Sequence, residues 1–533
     1  MNKSLTFNTT KLIQFILKRD KIRYLFWLLT IILLSVLVAI AFPGLFPTVE
    51  DRAILAEMMK NPAMTSMLGP AFGIDHYHYG AMYAHEMLLL TAILVGIMNI
   101  LLFIRHTRAD EEEGRIEMLR ALPVGRLSNL SATTLVLTFL NIGLAVVTGI
   151  LLGLCKIEGM DWNGSMLFGA ALGATGLIFM AITALFAQLT VSSRGTIGYS
   201  ITLLLVAYLI RAIGDVSNPA ISWISPLNWI LQTQVFVNNY WWPILLSITF
   251  TIIVLALAFY LSSIRDLGSG FIPAKPGKIH ASKLLKTPFG LSFRLQRTMI
   301  ISWSFGVLLI GLSYGSIFGD LGSFFESGMV KDILPEVTGF TVEEMFLSTI
   351  MAIMSMIGAI PVISIMMKLR GEETKNRLDH LLSRSVHRFQ VMGSYVLLSL
   401  IVSFVIVTLN GLGTWLAITS VMARPLSFGV VMGSSYVYLP AFIFMVGVAA
   451  VLIGFYPKGL FYTWIYLGYT FFTVYVGNML KLPEWASKIT PFGYIARVPV
   501  EQVNYLTMIL LTIAGLALIT LGFIGYNKRD IEG

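Results

Sequence analysis

The densest run of ionisable side chains in this sequence is Arg108-Ala-Asp110-Glu111-Glu112-Glu113-Gly114-Arg115-Ile-Glu117-Met-Leu119-Arg-Ala-Leu-Pro123-Val-Gly-Arg126. Its acids and bases alternate with short apolar anchors, Ile116, Met118, Leu119 and Leu122. That make-up suits a short helix with one charged face, which can sit in a partner's cleft while the charges set register. A second such run begins at Arg370: Arg370-Gly-Glu372-Glu373-Thr-Lys-Asn-Arg377-Leu-Asp379-His-Leu381-Leu-Ser-Arg-Ser-Val386-His-Arg388. At a constant offset of 262, arginine meets arginine three times, and Leu119 and Val124 meet Leu381 and Val386. Asp110, Glu111 and Glu117 meet Glu372, Glu373 and Asp379. One such stretch alone reads equally well as an ordinary charged loop. Two matching copies favour a docking surface.

Other candidates for chemistry carry less. Asp75-His76-Tyr-His78 followed by His85-Glu86 offers imidazole and carboxylate, common zinc ligands, but in no established zinc spacing, so no metal is assigned. Tyr77, Tyr79 and Tyr83 there suit a headgroup zone, as in a re-entrant or interfacial segment. No G-x-x-x-x-G-K-[ST] phosphate loop occurs, so the chain is not expected to hydrolyse ATP by itself. Catalytic residues are not assigned. The single cysteine, Cys155, cannot form a disulfide within the chain.

The elements that must position these loops are set by composition. Hydrophobic residues make up 56% of the 533 and charged ones 12%, about half the charged share of soluble chains. Twelve segments approach the roughly 20 apolar residues that a bilayer core demands: 24–42, 87–104, 135–154, 166–187, 197–213, 242–261, 299–318, 346–367, 393–418, 431–455, 460–480 and 508–526. The fold class is therefore all-α, a polytopic membrane protein of about 12 transmembrane helices. Placing the N-terminus inside puts 28 of the 37 Lys and Arg in inner segments. This positive-inside bias predicts a multi-pass protein with both termini cytoplasmic, and accounts for the +9 net charge without nucleic acid. Within the spans only Arg211 is ionisable, near the end of the fifth, where it could snorkel. Asn99, Asn141, Asn410 and Asn478 are polar but carry no proton. Ion coupling through intramembrane carboxylates is thus disfavoured.

The repeat extends beyond the loops. Ile224-Ser-Pro226-Leu-Asn-Trp229 matches Ile489-Thr-Pro491-Phe-Gly-Tyr494, and Arg265-Asp266 matches Arg529-Asp530. Six spans is an even number, so the halves are parallel repeats. The domains are 1–266, a six-helix half, 267–280, a cytoplasmic linker, and 281–533, the second half. Each half opens on a basic, partly amphipathic stretch, 11–21 and 282–297, suited to a membrane interface. Pro226, Trp229, Pro491 and Tyr494 precede the last span of each half and are candidates for an extracellular gate.

Glu112-Glu113, Glu117, Leu119, Pro123 and Arg126 resemble the acidic pair, acid, leucine, proline and arginine of the loop between helices two and three in membrane subunits of ABC-2-type exporters, with Gly114 one place earlier than the glycine typical there. The fused twelve-helix form with a Ser-Pro-x-x-Trp element is similar to the tetronasin-resistance branch, exporters of polyketide antibiotics. The resemblance implies a plasma-membrane permease, bacterial in type, with a separate ABC ATPase subunit in two copies that carries the ATP and Mg, one copy on each coupling loop. It also implies alternating access and outward movement of a small hydrophobic or amphiphilic substrate. The coupling residues are then Asp110, Glu111, Glu112, Glu113, Gly114, Arg115, Glu117, Leu119, Pro123 and Arg126, with Arg370, Glu372, Glu373, Arg377, Asp379 and Arg388. The second run departs from the pattern at Thr374 and Lys375, so the two contacts are expected to differ. An ion-coupled carrier of the 6+6 facilitator type is the alternative, and a non-transporting platform the third.

Overall fold

The computed structural model describes residues 5–60, 62–272, 279–319, 339–383, 386–476 and 483–530. All regular structure among them is helical, as a bilayer requires when every backbone N–H and C=O must be satisfied within the chain. Eleven helices there are long and apolar enough to cross a membrane.

The chain divides into two compact units, Met1–Pro276 and Gly277–Gly533. The first holds α1 (Thr9–Leu45), α2 (Tyr79–His106), α3 (Ser128–Leu154), α4 (Trp162–Leu189), α5 (Ser193–Ser217) and α6 (Trp242–Ile264). The second holds α7 (Pro288–Ser316), α8 (Val342–Glu373), α9 (Arg388–Val421) and α10 (Phe428–Phe455, interrupted after Tyr436), then α11 (Tyr462–Phe471) and α12 (Tyr505–Lys528). Packing neighbours repeat: α1 on α3, α2 on α4 and α4 on α6 in the first unit, α7 on α9, α8 on α10 and α10 on α12 in the second. Small residues allow close crossings, as where Gly454 lies against the Gly522 backbone.

The expected eleventh span, 460–480, is broken. A 3-10 turn (Pro457–Phe461) leads into α11, which unwinds into a π-turn (Phe472–Val476), and Asn478 lies outside the described residues. So do residues 273–278 of the expected linker and most of the segment between α7 and α8. The N-terminal amphipathic stretch is continuous with the first span as α1 but kinks at Asp20, whose φ/ψ of −120/20 is not helical. Its counterpart divides into a 3-10 turn (Lys283–Lys286) and the start of α7, capped by Thr287.

Two helices depart from their expected contents. α2 begins eight residues before the expected span, because His78 caps it by accepting from the Ala81 N–H (3.2 Å). Burial holds that imidazole below its ordinary pKa, which keeps the ring a neutral acceptor. His85 and Glu86 consequently lie on the helix, and His85 is spent on the Tyr77 hydroxyl (2.9 Å) and the Gly69 carbonyl (3.0 Å). α5 runs on past Arg211, which does not snorkel. It is fully buried, pairs with Asp215 one turn on (3.0 Å), and donates to the carbonyls of Thr65, Ser66 and Met67.

Candidate coupling site

In the first unit the charged loop folds as two short helices, Arg108–Glu112 and Arg115–Arg120. Gly114 joins them at φ +74, in the left-handed region that glycine adopts without penalty. The second loop carries no glycine there. Asn376, at the equivalent position, adopts φ +54 and makes the same turn. Asparagine tolerates that conformation better than other side chains, so the missing glycine does not change the loop's path.

The acidic residues divide into a buried and an exposed set. Glu111, its side chain only 9% exposed, receives Arg265 on both oxygens (3.0 and 2.8 Å), Arg108 (2.8 Å) and the Gly268 N–H (2.7 Å). Arg108 in turn donates to the carbonyls of Thr190 and Ser269. Glu373 in the second unit receives Arg529 on both oxygens (2.6 and 2.8 Å) and Arg370 (3.0 Å). Charge-assisted, two-pronged bonds of this kind fix geometry as well as adding energy. The repeat continues outward. Asp110 receives Arg115 (2.8 Å), and Glu372 receives Arg377 (3.5 Å). Arg126 donates to the Arg265 carbonyl (2.8 Å), and Arg388 to the Arg529 carbonyl (2.6 Å). Each unit thus ties the end of its second helix, its loop and the tail of its sixth helix into one ionic clamp.

Glu112, Glu113 and Glu117 are exposed. Glu112 accepts from the N–H (3.1 Å) and hydroxyl of Ser193, at the start of α5, while Glu113 pairs with Arg115. Ile116 turns inward, and Met118 (66% exposed) and Leu122 (57%) turn out beside Glu117. In the second loop Leu378, at the position of Ile116, is buried, and Thr374, Lys375, Asp379 and His380 are exposed. Leu119 and Leu381 are both half-buried.

Among the described residues, two features belong to the first unit alone. Arg19 reaches Asp110 (2.9 Å) and His106 (2.5 Å), while Asp20 receives Arg105 (2.9 Å) and Arg23 (2.8 Å). The kink at Asp20 turns these groups toward α2. The segment before α1 also straps the loop: Gly125 and Leu127 donate to the carbonyls of Phe7 (3.0 Å) and Leu5 (2.9 Å), and Asn8 donates to that of Pro123 (2.7 Å). A Cβ on Gly125 would stand 2.4 Å from the Leu5 carbonyl. Gly125→Val is therefore expected to release the strap and expose residues 5–8 to proteolysis. His387→Val, at the equivalent place in the second loop, should change nothing there. Equal protection of the strap in both variants would contradict this.

The gate candidates serve as local turns in the structure. Pro226 opens the short helix Pro226–Leu231 under a Ser225 cap, and Trp229 donates to the Trp223 carbonyl (2.8 Å). Pro491 opens the 3-10 turn Pro491–Tyr494, with Tyr494 exposed. No group of three or more His, Cys, Asp or Glu among the described residues could hold a metal ion.

Arg265 and Arg529 had been legible only as a repeat, and Arg19, Asp20, His106, Gly125 and Asn376 gave no functional signal. The family model described as "Multidrug efflux system permease Rv1217c, C-terminal domain" matches residues 14–261 and 285–527. The multidrug efflux system permease protein Rv1217c of Mycobacterium tuberculosis is 33% identical to this chain, over 98% of the chain and 95% of that protein. The chain belongs to this permease family. Both matched segments of the permease contain a complete clamp loop, Arg108–Arg126 in one and Arg370–Arg388 in the other. Arg265 and Arg529 fall just past the end of each match. The clamp's closing residue is thus outside the matched core in both halves.

Proposed function

We propose that the permease is the membrane-spanning subunit of an ATP-driven exporter of the ABC type. On this reading it moves hydrophobic or amphiphilic drug-like molecules, of the kind a polyketide antibiotic represents, out of a bacterial cell. Two copies of a separate ATPase subunit carry the ATP and Mg, one at each loop, and the two halves alternate access. The 28-to-9 distribution of basic residues supports a cytoplasmic location for 105–130, 264–298 and 368–388, and for both termini. The name of the mycobacterial relative supports a drug-like cargo.

The observation that carries the reading is the duplicated clamp. A docking knob can transmit a stroke only if it is rigidly joined to the helices it must move. Here Glu111 and Glu373 lock each loop to both the second and sixth helices of its unit. A push on the knob at Glu117 and Met118 would therefore displace two spans together. Gating motions of this type run on microseconds to milliseconds, slow enough to follow a nucleotide cycle.

The full chain, purified, should show no ATP hydrolysis, and should support vanadate-sensitive turnover only once the ATPase is added. Turnover by the chain alone would refute the proposal. A second reading, an ion-coupled carrier, draws on one observation: Glu86 lies on α2. Uptake into vesicles driven by a proton gradient, without ATP or ATPase, would establish that reading instead.

A further inference from the structure

α2 is the hub of the first unit, packed by α1, α3, α4 and α5. Seven of its residues escape burial: Glu86, Leu90, Ile93, Leu94, Ile97, Leu101 and Arg105. They recur every three to four positions and so form one stripe along the helix. Leu90 and Leu101 are 50% and 40% exposed. Between Glu86 and Arg105 the stripe is entirely apolar.

Glu86 lies seven residues into α2, about 10 Å along it, at the end remote from the coupling loop. It forms no hydrogen bond or ion pair with any described residue. An unpaired carboxylate is costly against lipid and is retained in membranes where it meets water or a charged ligand. A carboxylate without a protein partner pairs with a cation, and a row of aliphatic side chains receives an apolar body.

We propose that Glu86 is the charge-recognising residue of a substrate site on this stripe, and that the site takes amphiphilic cations. The ammonium or phosphonium centre pairs with the carboxylate, and the apolar part lies along Leu90, Ile93, Leu94 and Ile97. This deepens the exporter reading and rests on it, since it names the class of molecule exported.

Binding to the full chain in detergent, corrected for empty micelles, tests the site with two probes of one shape and opposite charge, tetraphenylphosphonium and tetraphenylborate. The wild type should prefer the phosphonium. Glu86→Gln should weaken phosphonium binding by about tenfold or more without weakening that of the borate, and Glu86→Asp should restore most of the loss. Unchanged phosphonium binding in Glu86→Gln would overturn the proposal, as would an equal loss of both probes, which marks a structural role. Efflux from cells holding the chain and its ATPase separates this from the exporter reading. Phosphonium retained while a neutral amphiphilic dye is still expelled by Glu86→Gln supports the site. A wild type that expels neither sinks the exporter reading itself, and the binding result still decides the site.

Discussion

Glu111→Ala should be the most damaging single change in the first loop, and Glu373→Ala its equal in the second. Each removes the shared acceptor of two arginines, leaving Arg108 with Arg265, or Arg370 with Arg529, facing each other almost free of solvent. Breaking a buried ion pair by deleting one partner costs about 3–5 kcal/mol. The deletion therefore endangers folding before coupling can be measured. Glu111→Gln keeps the shape and one acceptor oxygen, and should retain more folded protein. A double-mutant cycle supplies the decisive measurement: Arg265→Met in a Glu111→Leu background should recover stability that either single change loses. Thermal unfolding in detergent reads it, and strict additivity of the two losses would show that the pair is not coupled. This expectation departs from the simple asymmetry drawn from loop charges. Glu372 and Glu373 are too deeply engaged to act as a weaker docking set.

The second large effect is expected on the exposed side. Replacing Glu112, Glu113 and Glu117 together by alanine should leave insertion and thermal stability near wild type, because exposed pairs contribute only about 0–1 kcal/mol each. ATPase activity that depends on the permease should nevertheless fall to a small fraction. The corresponding exposed residues of the second loop, Thr374, Lys375 and Asp379, should tolerate alanine better, since they carry no net charge. Full coupled activity in the first triple variant would remove the docking role from the loop. Equal losses would remove only the asymmetry.

How much was legible follows from where the information lay. Spans and loops were readable because hydrophobic runs of membrane length are local signals, and the duplication was readable because its offset is constant. The division of the acids was not, because the partner that buries Glu111 lies at Arg265, 154 positions away. α2 was read too short because histidine is an unusual cap, and His78 performs that role through a bond to Ala81. The Arg211–Asp215 pair was within reach, since its i,i+4 spacing is the ordinary helix-face pairing. Asn376 shows how a pattern search misleads. The second run has asparagine where the first has Gly114, and the backbone requires only a residue that accepts positive φ.

The clamps also bear on biogenesis. Each loop is made more than 150 residues before the arginine that locks it. As the chain leaves the ribosome, the knob of a half emerges loose, and it stays loose until that half's last helix has entered the membrane and delivered its arginine. A half that stalls after four or five helices therefore presents acids held only by their local arginines, Arg108 or Arg370, and a loop not yet tied to the sixth helix. An assembly partner that grips only the locked form would then engage finished halves and pass over incomplete ones. The ionic contact would act as an inspection point in assembly as well as a mechanical joint.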